Sequence, residues 1–76
     1  MVTPENIKTW IEEGLANSQA RVEGDGHHFE AVVVCEEFAG KNKLARHRMV
    51  YDALGARMQS EIHALSLKTI TPEELI

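Results

Sequence analysis

A valine-rich run from His28 to Cys35, directly after the turn residues Gly24-Asp25-Gly26, constrains the fold of this chain more than any other feature. Apolar and polar residues also alternate from Ala20 to Glu23, just before the turn. Two runs of this kind joined by a glycine-containing turn are typical of a β-hairpin. A chain of 76 residues has room for one domain, residues 1–76, and buries only about 60% of its unfolded surface, so we expect a thin stability margin.

Two amphipathic helices are predicted, one on each side of the hairpin. The first begins after the N-cap Thr3, with Pro4 at the first helical position, and is expected to end near Asn17. The second is predicted from about Asn42 to Gln59, and its interior Gly55 suggests a close approach to a neighbouring element. Its apolar stripe consists of Leu44, His47, Val50, Tyr51, Leu54 and Met58.

A third strand is predicted from His63 to Lys68, where apolar and polar residues alternate again, and a capping box at Thr71 to Glu74 starts at most one further helical turn. Because strand–helix–strand connections are right-handed, this strand should lie parallel to the second, with both helices on one face. The prediction is an α+β fold of order α-β-β-α-β with a three-stranded mixed sheet. The expected core is Trp10, Ile11, Leu15, Phe29, Val33, Tyr51, Leu54 and Leu65.

The charge distribution narrows the possible partners. The net charge is −4, which argues against binding of nucleic acid through bulk electrostatics, because such affinity comes mainly from lysine and arginine on phosphates. Half of the basic residues nevertheless lie in one short segment without acids, and we call them the basic patch: Lys41, Lys43, Arg46 and Arg48. The basic patch is interpreted either as a solvated helix start or as a phosphate-contacting surface at a helix N-terminus.

Several classes of site have no support in the sequence. No Ser-His-Asp or Cys-His constellation, phosphate loop or isolated carboxylate pair is visible, so we expect neither an enzyme nor a small-molecule substrate. The single cysteine, Cys35, excludes an internal disulfide and a zinc site of the CxxC type. Because no secretory pattern or long apolar stretch occurs, we expect a cytoplasmic protein without a membrane partner.

Three segments, Gly24 to Phe29, Phe38 to Tyr51 and Glu61 to Glu74, resemble the BolA family. The resemblance implies a class II KH-like fold, in agreement with the predicted order of elements. It also implies binding to a monothiol glutaredoxin and a [2Fe-2S] cluster shared with that glutaredoxin and glutathione, in iron–sulfur cluster trafficking or in iron and stress regulation. No cluster is expected in the isolated protein. The alternative that the resemblance implies is a DNA-binding transcriptional regulator acting through the basic patch.

Histidines are the candidate ligands for such a cluster. If the second and third strands are parallel neighbours, His28 and His63 lie at the same end of the sheet. The resemblance implies His63 and a loop residue as ligands, and the motif match points to His28, whereas strict strand alternation places His27 on the side of His63. Both loop histidines remain candidates. Cys35 is expected to be buried and is rejected as a ligand, because it lies roughly 23 Å along the strand at about 3.3 Å per residue.

Overall fold

The computed structural model describes residues 1–75. It confirms the predicted α+β order and adds one short helix before the last strand. The helices are α1 (Pro4–Gly14), α2 (Lys43–Leu54) and α3 (Arg57–Ser60), the strands are β1 (Ser18–Gly24), β2 (His28–Cys35) and β3 (Ala64–Ile70), and 3₁₀ turns occupy Glu36–Phe38 and Pro72–Leu75. Within residues 1–75, no helix has the length and apolar character needed to cross a membrane.

The three strands form one mixed sheet in the order β1-β2-β3. Strand β1 is antiparallel to β2, and β3 is parallel to β2, as the crossover rule predicts. The register aligns Phe29 with Leu65 and places Gly24 opposite Phe29. Alternate residues of β2 are therefore buried against the helices, and Phe29, Val33 and Cys35 are almost fully inaccessible.

Helix α1 starts as predicted but ends three residues earlier. Thr3 and Asn6 form a reciprocal capping box at its N-terminus. The helix stops at Gly14 because the next residue is extended and Asn17 has a φ of 62°. A Cβ on Gly14 would lie 2.7 Å from the carbonyl oxygen of Ala53. The close approach between α1 and α2 is therefore at Gly14.

The long second helix of the prediction is divided in two by Gly55. This residue has a φ of 59° and forms the C-cap of α2, a conformation that glycine adopts without steric cost. The expected close approach at Gly55 is wrong, because a Cβ there would meet no atom nearer than the carbonyl oxygen of Asp52, at 3.9 Å.

Part of the predicted core is also wrong. Tyr51 is 37% exposed, and Trp10 and Leu65 are only half-buried. Leu44, which the sequence placed on the apolar stripe of the second helix, is 60% exposed. The close contact between Gly14 and Ala53 turns α2 so that Met49 and Ala53, which the predicted stripe omitted, pack against the core. Of the predicted stripe, Val50 and Leu54 are buried. The buried set is Ile7, Ile11, Leu15, Ala20, Phe29, Ala31, Val33, Cys35, Phe38, Val50, Leu54 and Ile62, with Met49 and Ala53 packed against it.

Candidate functional site

The end of the sheet where β2 and β3 begin brings two of the candidate histidines together. The parallel register pairs His28 with Ala64, and the amide of Ala64 donates to the carbonyl of His27 at 3.1 Å. His63 immediately precedes this anchored position. Its ring centre lies 5.4 Å from that of His27, with the ring planes tilted by 45°. Both side chains belong to exposed residues, so a second protein can reach them.

The loop that presents His27 is shaped by Asp25. One carboxylate oxygen of Asp25 accepts hydrogen bonds from the amides of His27 and His28, both at 2.9 Å. These bonds, led by that from His28, lower the pKa of Asp25. Gly26 completes the turn with a φ of 101°. The carboxylate is thus committed to the backbone, and the loop has a defined shape before any ligand binds.

The spacing of His27 and His63 is compatible with a shared metal centre. A metal bound roughly 2 Å from one nitrogen of each ring would place the ring centres on the order of 5 to 6 Å apart, and the observed separation is 5.4 Å. Within residues 1–75, no group of three or more His, Cys, Asp or Glu is arranged to hold a metal ion. Within the described residues, this end of the sheet thus presents a pair of imidazoles without a third such side chain beside them.

The other two ligand candidates have different surroundings. His28 is exposed and is the first residue of β2, one position along the pleat from His27, so its side chain is directed to the opposite face of the sheet. Cys35 is fully buried at the far end of β2, where its thiol donates weakly to the carbonyl of Ala16 at 3.4 Å. Its burial agrees with the expectation from the sequence.

The basic patch lies at the start of α2, but one of its members is engaged inside the fold. The Arg46 guanidinium donates to both carboxylate oxygens of Glu74, at 2.8 and 3.1 Å. It also donates to the carbonyls of Phe38, Lys41 and Thr69, and its side chain is only 13% exposed. Arg46 therefore connects the loop before α2, the end of β3 and the C-terminal turn, in contrast to the phosphate-contacting role expected for it.

The carboxylate of Glu74, in the C-terminal turn, accepts hydrogen bonds from both Arg46 and Thr71. Glu74 and Thr71 form the predicted capping box, in which the Thr71 amide donates to Glu74 at 2.8 Å and the Glu74 amide donates to the Thr71 hydroxyl at 3.3 Å. The Arg46 hydrogen bonds, followed by that from the Thr71 amide, lower the pKa of Glu74 to about 2. Sequence reasoning found the capping box but missed the ion pair, because 28 positions separate the two partners.

Three cations of the basic patch remain available to a ligand. Lys41, Lys43 and Arg48 are exposed, and none of them forms an ion pair with a residue in the described part of the chain. Asn42 caps α2 by accepting from the amide of Ala45 at 2.9 Å. The surface is thus a small positive region at a helix start.

Comparisons with known proteins agree with this architecture. Residues 6–74 match the family described as BolA-like protein. A solved structure of a BolA protein homologue from Coxiella burnetii is 63% identical and superposes with a TM-score of 0.94 over 99% of this chain and 97% of that one. Protein BOLA2 of Arabidopsis thaliana is 43% identical over 97% of this chain and 84% of its own length.

A relative from Vibrio cholerae, named a DNA-binding transcriptional regulator, is 38% identical over 93% of this chain. The chain spans 64% of the length of that relative. The family match covers far more than half of the sequence, and the fold superposes closely on that of a solved family member. The chain belongs to the BolA family.

Proposed function

We propose that this protein is an adaptor that binds a monothiol glutaredoxin and contributes histidine ligands to a [2Fe-2S] cluster held between the two proteins. The observation that carries the proposal is the pair formed by His27 and His63, whose rings lie 5.4 Å apart on exposed residues. A cysteine would be the usual ligand, but imidazole replaces thiolate at one iron of some [2Fe-2S] centres. When bound, the cluster supplies one-electron chemistry or is itself the cargo.

The division of ligands between two proteins follows from what the chain offers. The described residues provide two imidazoles in reach of one centre and no third donor beside them, and the sole thiol is buried at the opposite end of β2. A glutaredoxin cysteine and a glutathione thiol would complete the set of four. The role of this chain is then to hold and orient two rings, with Asp25 fixing the loop that carries His27. Such a role requires no catalytic group.

The test is co-expression with a monothiol glutaredoxin, followed by purification under anaerobic conditions and absorption spectroscopy. The proposal predicts a brown heterodimer with iron and labile sulfide in equal amounts, and a colourless protein when this chain is purified alone. A complex that forms without iron, or a cluster whose spectrum equals that of the glutaredoxin by itself, would contradict the proposal.

DNA binding is the second candidate, and the basic patch favours it. Lys41, Lys43 and Arg48 are exposed and unpaired within residues 1–75 at a helix start, where phosphates are commonly bound. The name of the Vibrio cholerae relative agrees with this role. Three contacts on a chain with a net charge of −4 predict weak affinity. A binding assay with duplex DNA at several salt concentrations tests this role separately from cluster binding.

A further inference from the structure

The outer edge of β3 is a free sheet edge. The backbone N–H and C=O groups of successive residues in a strand are directed to opposite sides of the strand, with a period of two. The amide of Ala64 faces β2, since it donates to His27, whereas the carbonyl of Thr69 faces outward, since it accepts from Arg46. The backbone groups of Leu65 and Leu67 therefore also face outward, and neither residue has a backbone partner on that side in the described part of the chain.

The opposite edge of the sheet is protected differently. On β1, the outward amide of Ala20 donates to the carboxylate of Glu12 at 2.9 Å, and α1 packs along that strand. Proteins commonly cover or occupy sheet edges in this way to prevent unwanted pairing. Among residues 1–75, a hydrogen-bond partner on the outward side of β3 is found only at Thr69, so the outward backbone groups of Leu65 and Leu67 are unpaired there.

A groove runs between this edge and helix α2. Its volume is about 290 Å³, which is at or below the lower limit of typical small-molecule sites. The lining residues are Lys43, Arg46, His47, Leu67, Lys68, Thr69 and Ile70. They include two exposed lysines, half-buried aliphatic residues and no carboxylate. Nε2 of His47 is buried there and has no hydrogen-bond partner within residues 1–75.

We propose that the β3 edge binds an extended, acidic segment of a partner protein, which adds a fourth strand to the sheet. The segment would hydrogen-bond to the outward backbone groups of Leu65 and Leu67. Because side chains alternate between the two faces of a sheet, its apolar side chains would lie on the face of Leu67 and its carboxylates on the opposite face, where Lys68 lies. Lys43, at the start of α2, adds positive charge beside the groove. This is β-strand addition, in which main-chain hydrogen bonds supply affinity and alternate side chains supply specificity. The surface is distinct from the histidine pair, so this proposal goes beyond cluster binding.

Charge complementarity selects the occupant. A second copy of this chain would bring its own Lys43 and Lys68 towards the first pair if two β3 edges met, so self-pairing is opposed by like charges. Nucleic acid would be attracted by the lysines, but it cannot match an alternating row of amides and carbonyls. The only aromatic side chain exposed on α2 is Tyr51, at 37%, so base stacking has little support. A polypeptide strand with carboxylates satisfies both the backbone and the charge.

The experiment uses the full chain, labelled with ¹⁵N, and three probes of equal length. The first is a capped octapeptide of alternating glutamate and valine, the second is its lysine–valine counterpart, and the third is single-stranded oligothymidylate. Amide chemical shifts are followed during titration of each probe. We expect the acidic peptide to shift the amides of Leu65, Leu67 and Thr69 and to slow their exchange with solvent. The lysine peptide should leave these amides unchanged.

Two variants test the two parts of the interaction. Joint replacement of Lys43 and Lys68 by glutamate should weaken binding of the acidic peptide about tenfold. The control Arg21→Glu, a charge reversal at an exposed position of β1, should not weaken it. Leu67→Pro removes one outward donor on an edge strand, where proline is tolerated, and should abolish the exchange protection. The proposal is overturned if the acidic peptide leaves the β3 amides unshifted at millimolar concentration, if the charge reversal has no effect, or if the oligonucleotide binds there at least as tightly.

Discussion

Truncation of Leu54 tests the packing of α2 against the rest of the domain. Leu54 is 1% exposed in the core cluster, so Leu54→Ala removes a buried isobutyl group and leaves a cavity. The expected loss is about 2 to 5 kcal/mol. At about 0.05 to 0.15 kcal/mol per residue, a chain of 76 residues has roughly 4 to 11 kcal/mol of stability in total. With a urea dependence of about 1 to 2 kcal/mol per molar, the unfolding midpoint should fall by at least about 1 M.

The matched control is Leu44→Ala, in which the same side chain is truncated on the same helix. Leu44 is 60% exposed, so its replacement should change the free energy of unfolding by no more than about 0.5 kcal/mol. The sequence pattern assigned both leucines to one apolar stripe, whereas the structure buries only Leu54. Equal losses for the two variants, measured by urea titration of intrinsic fluorescence, would refute the orientation of α2 described above.

Three further predictions concern the helix crossing, the C-terminal turn and the basic patch. Gly14→Ala places a Cβ within 2.7 Å of the Ala53 carbonyl and should cost about 1 to 3 kcal/mol; a stabilised variant in thermal unfolding would mean that the helices are further apart. Because Arg46 lowers the pKa of Glu74 to about 2, the contribution of Glu74 to stability is present above about pH 4.5 and is lost as the pH falls through about 2. Glu74→Gln should therefore be less stable than the wild type at pH 7, and the difference should shrink as the pH is lowered in acid titrations. A difference that stays constant with pH would contradict the ion pair. DNA binding through the three exposed cations should show a log–log salt slope near −3 and be lost when all three become glutamine, whereas a flat slope would place the DNA elsewhere.

The topology was predictable because each helix and strand has its own local sequence signal. The right-handedness of strand–helix–strand connections then determines how the strands are arranged in the sheet. The turn at Gly24 to Gly26, the N-cap Thr3 and the alternation after His63 define elements by spacing alone. The parallel placement of β3 follows from the handedness of the crossover. The same topology brought the candidate histidines to one end of the sheet, and strand alternation assigned His27 to the side of His63, where the structure places it.

The features that the sequence did not reveal depend on contacts between distant positions. The orientation of α2 is set by the close crossing of Gly14 and Ala53, which no periodicity within α2 reports, so Tyr51 was assigned to the core. The sequence assigns Arg46 to the basic patch together with its exposed neighbours. A cluster of charged residues in the sequence does not show that one of these side chains pairs with the distant Glu74. A free edge at β3 likewise becomes visible only once the order of strands is known.

Selective isotope labelling tests the central claim, that His27 and His63 of this chain ligate the shared cluster. The protein is labelled with ¹⁵N-histidine, combined with an unlabelled monothiol glutaredoxin and glutathione, reconstituted and reduced. Pulsed electron paramagnetic resonance then detects nitrogen coupled to the cluster. We expect ¹⁵N couplings in the wild type, their loss or reduction in His63→Ala and in His27→Ala, and their retention in His28→Ala. A reduced cluster without any ¹⁵N coupling, or couplings that are unchanged in His63→Ala, would contradict the account.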